Sequence, residues 1–130
     1  MKGPTEGSFF IGHMSVEHDK PVEHCGVVGA IDFKGTDVVR RTIALLSTNQ
    51  HRGQDGAGIL TINHGFHHHK GVGLVNQIFS RRKMDSLNLV GSLAIGHNRY
   101  KTQGGDGQDF LQPIIAEHED RKIGLAHNGN

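Results

Sequence analysis

One cysteine, Cys25, stands in the whole 130-residue sequence. That excludes an internal disulfide framework, and a single thiol does not build a zinc site by itself. A strong charge of either sign is also missing. Fourteen Lys and Arg against thirteen Asp and Glu leave a formal net charge of +1, which gives no electrostatic reason to expect nucleic acid or an anionic membrane as partner. No apolar run approaches the roughly eighteen residues of a membrane-spanning helix. Residues 1–20 lack the continuous apolar core of a secretory signal and carry Glu6, Glu17 and Asp19, so a cytoplasmic location is expected. No internal repeat is apparent, and the length suits one small domain.

Glycine and histidine are abundant instead, at 19 and 11 residues. Glycine without period, interspersed with aliphatic residues, implies tight turns and close backbone approaches, not a collagen-like or disordered chain. Residues 1–20 show no helical or strand period and read as a mobile leader. From Val22 the texture changes. Cys25-Gly-Val-Val-Gly-Ala-Ile31 is a short β-branched run suited to a buried strand. Gly35-Thr36-Asp37 offers turn and N-cap chemistry for a helix whose Val39, Ile43 and Leu46 share one face, ending near Asn49.

A polar segment, Gln50–Gly56, separates that helix from a strand over Ala57–Asn63. A turn at His64-Gly65 leads to a partner strand over Phe66–Val75, with its histidines on the exposed side. Arg81–Leu89 fits a short helix or a turn, Ser92–Asn98 a strand, Lys101–Gln108 a glycine-rich loop, and Arg121–Ala126 a further strand. Strands joined by short turns favour antiparallel sheets in an α+β arrangement. His67 and His69 would share one side of their strand as the start of a metal site, but no cysteine or placed carboxylate completes it. A solvated strand is the preferred reading, with no metal site. The sequence stops at Asn130, directly after a strand and an Asn-Gly pair, and is expected to be a fragment of a longer chain.

Four separated segments remain: Glu23-His-Cys-Gly-Val-Val-Gly29, Gln50-His-Arg-Gly-Gln-Asp-Gly-Ala-Gly58, His97-Asn-Arg-Tyr-Lys-Thr102 and Leu125-Ala-His-Asn-Gly-Asn130. In this order and approximate spacing they resemble the glutaminase domain of class II glutamine amidotransferases. The form of Gln50–Asp55 is similar to that of the amidophosphoribosyltransferases of purine biosynthesis. Glucosamine-phosphate synthases usually carry a tyrosine-containing version ahead of the shared Arg-Gly. Other class II enzymes, or a non-catalytic glutamine-binding module, stay open as alternatives.

The resemblance implies an αββα four-layer sandwich of the N-terminal-nucleophile hydrolases, present here only in part. It implies Cys25 as nucleophile, with residues 1–24 as a leader removed to free its amine. Asn128 and Gly129 would supply the oxyanion hole, Arg99 would clamp the glutamine α-carboxylate, and Tyr100 and Thr102 would line the same strand end. Arg52 and Asp55 would be structural support, as a buried pair holding the nucleophile's neighbourhood. Gly26 would leave room for close approach of substrate. Glutamine is the implied substrate, and phosphoribosyl pyrophosphate the partner of a domain absent from these residues. Magnesium, an iron–sulfur cluster and homo-oligomerisation are implied only for the full-length enzyme. The 130 residues alone are expected to be inactive and prone to aggregate.

Overall fold

The computed structural model describes residues 24–101 and 107–128. Six strands run in the order β1 (Gly26–Ile31), β2 (Gly56–Ile62), β3 (Phe66–Val72), β4 (Leu93–Arg99), β5 (Ile114–His118) and β6 (Arg121–Leu125). A helix α1 (Val39–Thr48) follows β1, and two single-turn helices, α2 (Val75–Ile78) and α3 (Arg81–Met84), follow β3. The first four strands form one antiparallel sheet in the order β1-β4-β2-β3, and β5 and β6 form a separate hairpin. The α+β class with antiparallel sheets is therefore present. Among the described residues no helix is long and apolar enough to cross a membrane.

Strand alternation divides the four-stranded sheet into two faces. Val28, Ala30, Ala57, Ile59 and Ala94 point to the face covered by α1 and α2, where they are buried with Val39, Leu46, Val75 and Ile78. Across β4 and β2 this face is cut by Gly96, where a Cβ would press on Val28 and Leu46. The opposite face carries Gly56, Gly58 and Leu60. Gly56 lies against Leu111, Gly58 against the Gln112 backbone, and Leu60 against Gly124 of the hairpin. The hairpin thus lies over the centre of the sheet. Its own outer face exposes Ile114, Ile123 and Leu125.

Several elements differ from the sequence expectations. Helix α1 starts from Val38 with no side-chain cap. Of the expected capping residues, Thr36 Oγ1 donates to Asp32, while Asp37 Oδ1 accepts the Val39 N–H at 3.4 Å and also the Gly91 N–H at 3.0 Å. Leu46 and Val39 are buried, and Ile43 is half-buried on the same face. Strand β3 stops at Val72 because Gly73 takes a φ of +116°, turning the chain into α2. The histidines of β3 do not all face solvent. His69 lies on the helix face, its ring edge-on to Phe79 at 5.7 Å, and that burial lowers its pKa. Strand β5 was not legible: a proline precedes it, and its Ile-Ile-Ala-Glu-His run has no clean alternation.

Gly53 makes the closest approach that orders this fold near Cys25. A Cβ there would sit 2.6 Å from the Arg99 carbonyl carbon and 2.8 Å from that of Asn98, so the Gln50–Asp55 segment can lie on the end of β4 only without a side chain. Gly29, by contrast, has nothing within 4 Å of an added Cβ. Gly53→Ala is expected to lower stability by about 1–3 kcal/mol through forced backbone displacement. Gly29→Ala is expected to be neutral or to gain about 0.5 kcal/mol. Chemical denaturation of the two variants side by side measures both.

Candidate active site

Cys25 immediately precedes β1, and continuing the Gly26–Asn98 pairing sets it across from Arg99. Its sulfur accepts the Tyr100 N–H at 3.4 Å, and its S–H points at the Tyr100 carbonyl at 3.7 Å. The thiol is half-buried. Two segments that lie 75 residues apart are therefore joined at the backbone of one residue, Tyr100. Arg99, also half-buried, places its guanidinium carbon 5.3 Å from the centre of the Phe110 ring, a cation–π stack that orients a planar fork. The half-buried Tyr100 contributes its backbone to the thiol, a role the sequence did not signal.

The polar segment after α1 folds as a 3-10 turn over Gln50–Arg52 and packs under this strand end. Asp55 accepts the Lys101 N–H on its carboxylate at 2.8 Å, and its own N–H donates to the Arg99 carbonyl at 3.0 Å. It therefore fixes the backbone on both sides of Tyr100. Gln50 spans the turn: Nε2 donates to the Gly53 carbonyl, and Oε1 accepts the Val75 N–H at 2.8 Å. No ion pair joins Arg52 to Asp55, and Asp55 is exposed, so the buried pair expected from sequence is not formed. Asp55 acts on backbone amides instead, where water already solvates part of its carboxylate. Gly26 is not an open approach for a ligand either. A Cβ on it would meet Asn49 and Asn98 at an ordinary 3.5 Å, so its surroundings are protein.

Two residues of the third motif are wholly buried. Asn98 Nδ2 donates to the Leu46 carbonyl at 2.8 Å, satisfying one of the carbonyls left open in the last turn of α1. His97 Nε2 lies 3.2 Å from the His127 carbonyl. A carbonyl only accepts, so this nitrogen carries the proton. The His127 N–H in turn donates to Gln112 Oε1 at 2.7 Å. His127 directly precedes Asn128, which is exposed. Thr102, Gly129 and the leader through Glu23 lie outside the described residues.

Gln50, His97, Asn98 and Gln112 were not singled out from sequence. The first three stand inside the motifs, where polar residues flanked by glycine or arginine were the available signal. Gln112 had none. Among the described residues no group of three His, Cys, Asp or Glu is disposed to hold a metal. His67 Nε2 donates to the Asn63 carbonyl and His69 packs on Phe79, so the pair is engaged separately.

Burial depresses the His97 pKa to about 4; the His127 carbonyl opposes this, and the charges of His127 and Arg99 add to it. The unfolded chain binds this proton near pH 6.5 and the folded chain does not until about pH 4. Between those values the unfolded state holds more protons, so stability falls as pH falls, by up to about 1.4 kcal/mol per pH unit from this group. Denaturation midpoints at pH 7.5, 6 and 5 are expected to drop more steeply for the native chain than for His97→Gln.

No protein-family model matches the sequence. Individual proteins do. An amidophosphoribosyltransferase of Arabidopsis thaliana (number 2, chloroplastic) is 42% identical over 114 residues, covering 86% of this chain and 20% of that protein. The Synechocystis amidophosphoribosyltransferase is 40% identical over 127 residues, 97% of this chain and 24% of its own length. That of Lacticaseibacillus casei is 41% identical over 110 residues, 83% of this chain and 55% of its own. Among solved structures, the allosteric regulatory enzyme of purine biosynthesis superposes with a TM-score of 0.64 at 33% identity, over 75% of this chain and 21% of that one. The glutamine phosphoribosylpyrophosphate amidotransferase of B. subtilis, complexed with ADP and GMP, gives 0.61 at 32%, over 80% and 22%. The chain thus spans about a fifth of the length of most of these relatives. Over most of its own length it is a homologue of the amidophosphoribosyltransferases.

Proposed function

We propose that these residues are the glutamine-hydrolysing part of an amidophosphoribosyltransferase, with Cys25 as its nucleophile. The observation that carries this reading is the meeting of three separate motifs at the end of β4: the Cys25 thiol on the Tyr100 backbone, Arg99 beside it, and Asp55 bracketing both peptides. The Arabidopsis, Synechocystis and Lacticaseibacillus casei relatives bear the same activity in their names, which favours this acceptor chemistry over that of glucosamine-phosphate synthases. In this reading the two antiparallel sheets and the α1 layer belong to an αββα four-layer sandwich.

The chemistry follows from one amine. While His24 is joined to Cys25, the Cys25 nitrogen is an amide and has no basicity. Cleavage of that bond, removing residues 1–24, frees an α-amine with a reference pKa of about 7.7–8.0. That amine takes the thiol proton as the sulfur attacks the glutamine side-chain carbonyl carbon. The resulting oxyanion is stabilised by the side-chain amide of Asn128 and the N–H of Gly129. Collapse expels ammonia, which leaves with the proton held by the amine, and a γ-glutamyl thioester remains on Cys25. Water, deprotonated by the same amine, then releases glutamate. Arg99 holds the α-carboxylate of glutamine through its two parallel N–H groups, while Tyr100 and Thr102 line the pocket.

In the full-length protein the ammonia is transferred to phosphoribosyl pyrophosphate in a further domain. It displaces pyrophosphate and yields 5-phosphoribosylamine. That protein is read as cytoplasmic and homo-oligomeric. Magnesium and an iron–sulfur cluster belong to the reading of the full-length protein; the described residues offer one thiol, and no group of three His, Cys, Asp or Glu among them is disposed to hold a metal.

Two outcomes are expected of the full-length protein. Mass analysis finds Cys25 as the amino-terminal residue, a glutamine-analogue electrophile adds to it, and glutamine turnover rises with pH through about 7.7–8.0. A fully active protein that still retains His24, or an adduct on another residue, would overturn the reading. Arg99→Lys, which keeps the charge but loses the fork, raises KM for glutamine by about tenfold or more, equivalent to some 1.4 kcal/mol. Steady-state kinetics across glutamine concentration measures this.

A further inference from the structure

The segment that leads into Asn128 is held in an unusual way. His127 and Asn128 are both exposed and follow the end of β6. Polar backbone in such a position is ordinarily satisfied by water at no structural cost. Here both polar groups of the His127 peptide residue are instead taken by buried side chains. Its N–H donates to Gln112 Oε1 at 2.7 Å, and its carbonyl accepts from His97 Nε2 at 3.2 Å. Gln112 is 8% exposed and His97 is 1% exposed.

Burying two polar side chains carries a desolvation cost that hydrogen bonds to an exposed loop only partly offset. His97 bears the larger share, because its Nδ1 has no protein partner among the described residues. A neutral ring also keeps one donor and one acceptor in fixed places, and burial, by lowering its pKa to about 4, favours that neutral form at pH 7.

Both arms arise from one point in the sheet. Gly58 of β2 and His97 of β4 are register partners. Gly58 has no side chain, and the Gln112 carbonyl occupies the space a Cβ would need. Gln112 is therefore seated on β2 at the position where its neighbour on β4 sends out the His97 ring. Tyr100, the residue directly after β4 and three beyond His97, holds the Cys25 sulfur, a separation of about 10 Å along an extended chain. One rigid strand thus carries the nucleophile at one place and the peptide preceding Asn128 at another.

We infer that His97 and Gln112 form a two-point clamp on His127 that positions Asn128 relative to Cys25. The inference rests on the reading of Asn128 as an oxyanion donor. It adds two positioning residues that touch neither substrate nor nucleophile. The clamp acts in the transition state alone, because a donor displaced by a fraction of an ångström loses the oxyanion while ground-state glutamine binding through Arg99 is kept.

The test uses the full-length, leader-cleaved protein with glutamine as substrate. His97→Leu and Gln112→Ala are each expected to lower kcat by about 10–100-fold with KM for glutamine within about twofold. His97→Gln, which keeps a donor near the Nε2 position, restores most of the loss, and Gln112→Glu, which keeps the acceptor, does the same. In an Asn128→Ala background the clamp variants add little further loss, since they act through the group already removed. If His97→Leu does not fold, Gln112→Ala and the two conservative variants carry the comparison. An Asn128→Ala protein with undiminished kcat defeats the oxyanion reading and the clamp with it. A damaged Asn128→Ala protein beside unaffected clamp variants defeats the clamp alone. So does an equal loss from the clamp variants in both backgrounds, or a loss confined to KM.

Discussion

Strand β4 is hydrogen-bonded along both edges, to β1 on one side and β2 on the other, and this double pairing is the constraint from which the site derives. A strand held on both sides moves only with the sheet. Its last residues hold the α1 end through Asn98 and the His127 peptide through His97, and Tyr100, directly after the strand, holds the Cys25 thiol. Groups drawn from opposite ends of the chain are thereby referred to one backbone. A nucleophile on a free loop end would have no such reference, and the entropy of placing it would recur with each encounter.

Close packing at this strand end depends on missing side chains more than on attractive contacts. Gly53 lets the Gln50–Asp55 segment lie directly on the Arg99 peptide, and Gly58 lets the Gln112 backbone settle on β2. Once the backbones are that close, amide groups find partners across elements, as in the Asp55–Arg99 and Asp55–Lys101 bonds. The abundance of glycine is thus partly a record of where backbones touch. Asp55 shows the matching electrostatic choice. An exposed carboxylate directed at a backbone N–H avoids the desolvation that a buried ion pair with Arg52 would have incurred.

Three histidines among the described residues are put to physically distinct uses. His67 bonds a nearby turn carbonyl, His69 serves as an aromatic surface for Phe79, and His97 is a buried neutral donor. Adjacency in sequence, as in the triplet of β3, says little about shared chemistry: His67 and His69 share one side of β3, yet one bonds the Asn63 carbonyl and the other packs on Phe79. The histidine most committed to the structure is the one beside Asn98 and Arg99, away from the triplet.

Local pattern determined a good deal by itself. The β-branched run after Cys25, the Val39–Leu46 stripe and the short apolar stretches over β2 and β4 are short-range signals, legible in local sequence. The four motifs, in their order, also pointed to the chemistry of Cys25 and Arg99. Tertiary structure decided what depends on distance in space. That Asp55 would serve Lys101 and not Arg52, that Asp37 would share its carboxylate between the helix start and Gly91, and that Gln112 would reach His127 all follow from which segments lie side by side. A polar side chain can satisfy any of several partners of equal chemistry. The sequence names the donors and acceptors, and only packing brings one of them within three ångströms.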